Sequence, residues 1–195
     1  DYGITEEQLE DRTDGHMDIN RVREGAVIIC PVKVPGGGVY LGDMHAMQGN
    51  GEIAGHTTDV AGIANLQVNV LKGVTLEGPV ILPLEEDLPY LAKPFTEQEI
   101  TEAQQLANQW GVEALEESYP LSFVGSGANL NEAIDNAMER AAKFFGITVP
   151  EVMNRATVTG SVDVGRYPGI ATVTFLAPKQ YLEKAGIIEL VKGFY

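Results

Sequence analysis

Asp43 and His45 carry the side chains best suited to chemistry, in the run Gly-Asp-Met-His-Ala-Met-Gln-Gly-Asn-Gly-Glu at 42–52. On an extended segment, side chains at i and i+2 point the same way. A carboxylate and an imidazole then share one face, as hard and borderline donors suited to a divalent metal such as zinc. Gly49 and Gly51 permit positive φ or a close backbone approach, and Glu52 returns toward the same place. Gln48 and Asn50 are neutral amides able to hydrogen-bond a carbonyl or an NH2 group. A lone surface His or Asp is ordinarily solvated, so it is their pairing at this spacing that marks a site.

Three motifs in order carry a family resemblance: Thr13-Asp-Gly-His-Met-Asp-Ile-Asn, then Glu24-Gly-Ala-Val-Ile-Ile-Cys-Pro-Val-Lys-Val-Pro-Gly, then the run at 42–52. Together they resemble the acetamidase/formamidase family, and Gly160-Ser-Val-Asp163 after a helix-rich stretch is similar to its C-terminal part. Asn50 stands where the family usually has Asp, and His16 where Asn is commoner. The resemblance implies hydrolysis of small linear amides such as formamide and acetamide, with Zn2+ as cofactor and Ca2+ as a candidate second cation. It also begins about where the family's second half does. This implies one amidohydrolase domain over 1–195 without the family's N-terminal portion, an N-terminal chain or segment of the same precursor as partner, and a homodimer or larger homo-oligomer.

Amide hydrolysis needs hydroxide at neutral pH, a polarised carbonyl and a proton for the departing nitrogen. Zinc supplies the first two by bringing the pKa of a bound water to about 7, and a carboxylate moves the proton. A catalytic zinc takes three protein ligands and keeps one position open. Asp43 and His45 are assigned as ligands, with Asp18 completing the set and His16 or Glu52 as substitutes if Asp18 is too distant. Glu52 is the first choice of general base and Asp59 the second. Gln48, Asn50 and His16 are assigned to substrate contact; Asp163 reads as the end of a strand, and the resemblance makes it a candidate to line the site. His56 reads as structural, on a strand. Gly36, Gly37 and Gly38 are followed by no helix and no Lys-Ser/Thr, so they make no phosphate loop.

With 195 residues, 44% of them hydrophobic, the chain can bury one good core. Its net charge of −15 argues against nucleic acid, whose phosphates require clustered Lys and Arg, and against an anionic membrane. The acid is uneven, with ten Asp or Glu over 77–117 opposed only by Lys93. That stretch reads as a solvated face; a Ca2+ surface would need converging oxygens. The single Cys30 excludes an internal disulfide and, inside an apolar run, reads as a buried structural thiol. No stretch matches a transmembrane helix or a signal sequence, and a cytoplasmic protein is expected.

Residues 1–24 form a polar lead-in crowded with Glu6, Glu7, Glu10, Asp11 and Asp14. Residues 25–83 read as short strands at 26–34, 39–41, 53–60, 64–71 and 79–82, which suggests a β-sandwich or barrel-like core. A helical segment follows over 96–158. Thr96 and Glu99 form a capping box, and Ile100, Leu106 and Trp110 make an apolar stripe read as core. Asn129 and Glu132 start a second helix that Gly146 ends, and Thr148 and Glu151 start a third. Strands near 157–164 and 170–176 close an α+β chain. Two competing functions remain: a non-catalytic metal- or ligand-binding β-domain or subunit, and an amidase using Cys30 or Ser126 as nucleophile.

Overall fold

The computed structural model describes residues 15–195. Thr13 of the first motif and the acidic residues from Glu6 to Asp14 lie outside the described residues. The strands in chain order are β1 (Val27–Ile29), β2 (His45–Met47), β3 (Thr58–Asp59), β4 (Val80–Leu82), β5 (Ser118–Ser126), β6 (Ser161–Val164) and β7 (Ile170–Pro178). The helices are α1 (Glu97–Gln109), α2 (Leu130–Phe145), α3 (Val149–Thr159), α4 (Lys179–Ala185) and α5 (Ile188–Phe194). Five strands make one antiparallel sheet in the order β1-β4-β5-β7-β6, while β2 and β3 form a separate ribbon. The α+β class holds, and the sheet is open, with no closed barrel among the described residues.

β5 and β7 pair along their whole length, from Ser118 opposite Pro178 to Ser126 opposite Ile170. Because side chains alternate across a strand, Phe123, Val173 and Phe175 fall on one face and Ser122, Val124, Thr172 and Thr174 on the other. The first face packs beneath α2, whose Ala133, Ala137, Ala141 and Phe145 are buried. Phe123 stacks on Phe175 at 5.8 Å and meets Phe145 edge-on at 5.5 Å. Small residues let helix and sheet touch: a Cβ on Gly125 would lie 2.0 Å from the carbonyl oxygen of Ala133. The ends of α2 follow the sequence signals, with Asn129 accepting from the Glu132 amide and Gly146 at φ 66°.

The second face of the sheet positions the site. Ile81, Val124 and Ile170 bury Ile19 from the segment that leads into β1, with Met17 and Val22 alongside. The amide of Arg166 donates to the carbonyl of Met17, and that of Tyr167 to the carbonyl of Gly51. Both the 16–21 stretch and the glycine-rich run are therefore pinned to the turn joining β6 and β7.

Several expectations change. Of 53–60 only Thr58–Asp59 is a strand, and 39–41 and 64–71 contain none, with Leu66, Val68 and Val70 exposed. Alternation specifies a face, but a strand needs a partner ladder, and the described residues offer none there. The capping box of α1 forms as the sequence predicts, since it is local. The stripe behind it does not pack: α1 buries no residue and Trp110 is 84% exposed. His56 lies outside any strand. Cys30 is exposed rather than buried, because β1 is the edge strand of the sheet and ends at Ile29. No described helix is long and apolar enough to cross a membrane.

Candidate metal centre

The ribbon of β2 and β3 sets His45 opposite Asp59, and Asp43 lies just before β2. His45 Nε2 is 3.1 Å from Asp43 Oδ1 and 3.6 Å from Asp59 Oδ1. On the other side of Asp43, His16 Nε2 is 3.9 Å from its Oδ2 and 3.5 Å from Asp18 Oδ1. His16, Asp18 and Asp43 thus form one group of converging donors, and Asp43, His45 and Asp59 a second. Asp43 belongs to both and turns one oxygen to each. The expected ligands Asp18, Asp43 and His45 are therefore divided between two groups that share Asp43.

Hydrogen bonding sets the state of His45. The amide nitrogen of Gln48 donates to the carbonyl oxygen of Asp18, so its Oε1 accepts from His45 Nδ1 at 2.8 Å. Nε2 of the neutral ring then carries a lone pair aimed at two carboxylate oxygens. That arrangement is repulsive unless a proton or a metal cation lies between them. The Gln48 hydrogen bond first, and then Asp43, raise the pKa of the imidazole, while burial opposes them. Metal–ligand bonds of about 2.0–2.2 Å put neighbouring donors of a tetrahedral zinc roughly 3.3–3.6 Å apart. The 3.6 Å from His45 to Asp59 falls in that range, and the 3.1 Å to Asp43 lies just short of it. Thr57 orients Asp59 by donating its hydroxyl to Oδ1 at 2.8 Å.

Backbone strain gathers at the same place. Asp18, Asp43 and Glu52 have φ of 48°, 67° and 40°, and no other described non-glycine residue has positive φ. An L-residue in this region costs about 1–2 kcal/mol, somewhat less for Asp, whose short side chain bonds locally. Such strain persists where the surrounding structure over-determines it, commonly at functional sites. Glu52 also has a buried carboxylate oxygen, Oε2, with no hydrogen-bond partner among the described residues. Burial, followed by the negative charge of Asp18, pushes its carboxyl above the usual range.

The structure therefore brings His16, Asp18, Asp43, His45, Gln48, Glu52 and Asp59 together. The side chain of Asp18 is 5% exposed and that of His45 11%, against 60% for Asp43. Asn50 instead turns its Oδ1 to the Nδ2 of Asn20 at 2.8 Å. His56 joins neither donor group. The acidic stretch 77–117 supplies no member of one either. Several of its carboxylates instead pair with distant bases: Glu77 with Lys143, Glu86 and Asp87 with Arg23, Glu116 with Arg155 and Glu117 with Lys179. Ser126, offered above as a nucleophile, has its hydroxyl 3.4 Å from the Arg140 guanidinium, which donates to it. Sequence reasoning missed Thr57 and Asn20, since threonine and asparagine in loops carry no distinguishing spacing. It missed Arg21 too, although a basic residue three positions after Asp18 in so acidic a chain was a usable signal.

A family model described as Acetamidase/Formamidase family matches residues 9–183, and the chain belongs to that family. Over 74 residues it is 32% identical to a protein of Schizosaccharomyces pombe (strain 972) whose name reads "putative formamidase". That match covers 35% of this chain and 18% of the relative, so less than a fifth of the relative's length is represented. No solved structure matches the chain.

Proposed function

We propose that this chain hydrolyses small linear amides, formamide and acetamide, to carboxylate and ammonia, with a divalent metal held by the groups around Asp43. One observation carries the reading: two of the three described non-glycine residues with positive φ, Asp18 and Asp43, are carboxylates in the two converging donor groups, and Asp43 is the one they share. Family membership agrees with it. Asp43, His45 and Asp59 form the better-spaced donor set, and Asp18 and His16 a second position that shares Asp43. A bound Zn2+ would supply Lewis acidity toward the amide carbonyl and acidify water at neutral pH.

The protein's own groups do the rest. Gln48 holds the His45 ring with Nε2 available, spending both ends of its amide within the site. Glu52, its carboxyl already destabilised as an anion, takes the proton of the attacking water and passes it to the departing nitrogen. Water's oxygen ends on the acyl carbon, the C–N bond breaks, and ammonia leaves. His16 and Asn50 are assigned to substrate contact at the rim. A cytoplasmic setting belongs to this reading, because the lone Cys30 can make no internal disulfide. So does assembly with an N-terminal segment of the same precursor and with further copies, supported by the exposed apolar faces of α1 and 64–71.

Ammonia release from formamide and acetamide is the test, on the protein as purified, after chelation, and after Zn2+ is returned. Activity lost and restored is expected. Activity indifferent to chelation refutes the metal mechanism and turns attention to Cys30 and Ser126. Stoichiometric metal without ammonia release favours the non-catalytic binding domain.

A further inference from the structure

Beside the metal centre a cavity of about 230 Å³ opens over the second face of the sheet, lined in part by Asn20, Arg21, Asn50, Asp163 and Thr172. Two bonds build its floor: Arg21 Nη2 meets Asp163 Oδ2 at 2.8 Å, and Arg21 Nη1 donates to Thr174 Oγ1 at 3.1 Å. Ser161 donates its hydroxyl to the same Asp163 oxygen at 2.7 Å. The Asn20–Asn50 hydrogen bond ties this wall to the glycine-rich run. Thr172 sits opposite Asp163 in the β6–β7 pair, so their side chains share a face. Thr172 is 1% exposed, and its hydroxyl has no hydrogen-bond partner among the described residues.

A buried hydroxyl left unpaired is costly, and here it belongs to a residue that lines a cavity. The other groups on the lining are part-used. Among the described residues the Asp163 bonds fall on Oδ2 and the Asn50 bond on Oδ1, leaving Asp163 Oδ1 and Asn50 Nδ2, and the Arg21 guanidinium uses only part of its N–H groups. Arg21 and Asp163 cancel in charge, and Arg23 is shared between the neighbouring Asp87 and Glu86. The cavity therefore offers donors and acceptors side by side with no surplus positive charge. A carboxylate would meet two aspartates, whereas a neutral carboxamide presents one acceptor oxygen and two N–H donors, the complement of this lining. Its volume, below the roughly 300–1,000 Å³ of pockets for drug-sized ligands, suits a small one.

We propose that this cavity is a carboxamide-binding subsite, in which Arg21 and Thr172 donate to the amide oxygen and Asp163 accepts from the NH2 group. The assignment to substrate rests on the amidase reading above; the binding itself does not. Thr172→Val is the decisive variant, since it keeps the shape and removes only the unpaired hydroxyl. Acetamide and acetate binding are measured by ligand-observed NMR on the intact protein, with thermal unfolding and the KM and kcat for acetamide alongside. Expected is acetamide binding in preference to acetate. In Thr172→Val the acetamide Kd and KM should rise about fivefold, the size of one lost neutral hydrogen bond, with kcat little changed and Tm equal or higher. Asp163→Asn, which replaces the acceptor, should weaken acetamide as well and decides the matter if the first variant loses Tm. Acetamide bound equally by wild type and both variants, acetate bound as well as acetamide, or no acetamide bound at all would overturn the subsite. Thr172-dependent binding without any ammonia release would keep the subsite and sink the amidase reading instead.

Discussion

Replacing Asp43 by Ala and by Gly separates its backbone from its side chain. Both variants delete the carboxylate shared by the two donor groups, yet only Ala must hold a Cβ at φ 67°. An alanine in that conformation costs about 1–2 kcal/mol. Glycine adopts it freely but loses about 0.5–1 kcal/mol to its larger unfolded-state entropy. The difference leaves Asp43→Gly more stable than Asp43→Ala by about 0.5–1 kcal/mol, or roughly 1–4 °C in Tm for a chain of this size. Calorimetry of chelator-treated protein measures that gap, and Zn2+ titration of the same samples measures the ligand loss. Affinity should fall by at least about tenfold in both variants alike, as it does when even a supporting residue of a metal site is removed. Equal melting temperatures for Ala and Gly would refute the strain argument. Wild-type zinc affinity in either variant would remove Asp43 from the metal centre.

Glu52→Gln should fold and retain metal while ammonia release drops by about 10²–10⁴-fold, the usual contribution of a general base; a drop below tenfold would exclude Glu52 from that role. Gly125→Ala places a methyl 2.0 Å from a backbone oxygen of α2, and a loss of more than about 2 kcal/mol in urea unfolding is expected. Glu117 bears on acid stability. Lys179 first, then Tyr119, hold its carboxyl at about 2, below the 4.5 of the free group. A depressed carboxyl stabilises the fold above its unfolded pKa, and that contribution is lost as pH falls from 4.5 toward 2. Melts across that window should show the gap between wild type and Glu117→Gln closing as the acid rises; a gap that stays constant would contradict the pairing.

Local chemistry was legible in the sequence and tertiary burial was not. Asn129, Gly146, Thr148 and the Thr96–Glu99 box each mark a helix end that the structure forms, because capping uses groups within four residues of one another. Asp43 and His45 do lie close, at 3.1 Å, but not through the extended i, i+2 geometry the sequence suggests, since Asp43 has φ 67° and precedes β2. Trp110 and Cys30 failed because apolarity says only that a side chain can be buried, and burial depends on a surface the local window does not contain. β5 escaped notice since Tyr119-Pro120 interrupts its pattern and it is buried on both faces, which erases alternation. α4 and α5, seven residues each, are too short to show a helical period. Arg21 meets Thr174, and lines one cavity with Thr172, across most of the chain, beyond any motif's reach.

The stretch 61–71 makes no backbone hydrogen bond among the described residues, and it contains no charged side chain in a chain of net charge −15. Its amide hydrogens are therefore a built-in reporter. In the free chain they should exchange with solvent near the rate of an unstructured peptide, while those of β5 and β7 wait for the sheet to open. Any association that lays a strand along this stretch would slow the same amides by orders of magnitude and leave the rest of the exchange map untouched, so a single labelling time course would register assembly residue by residue.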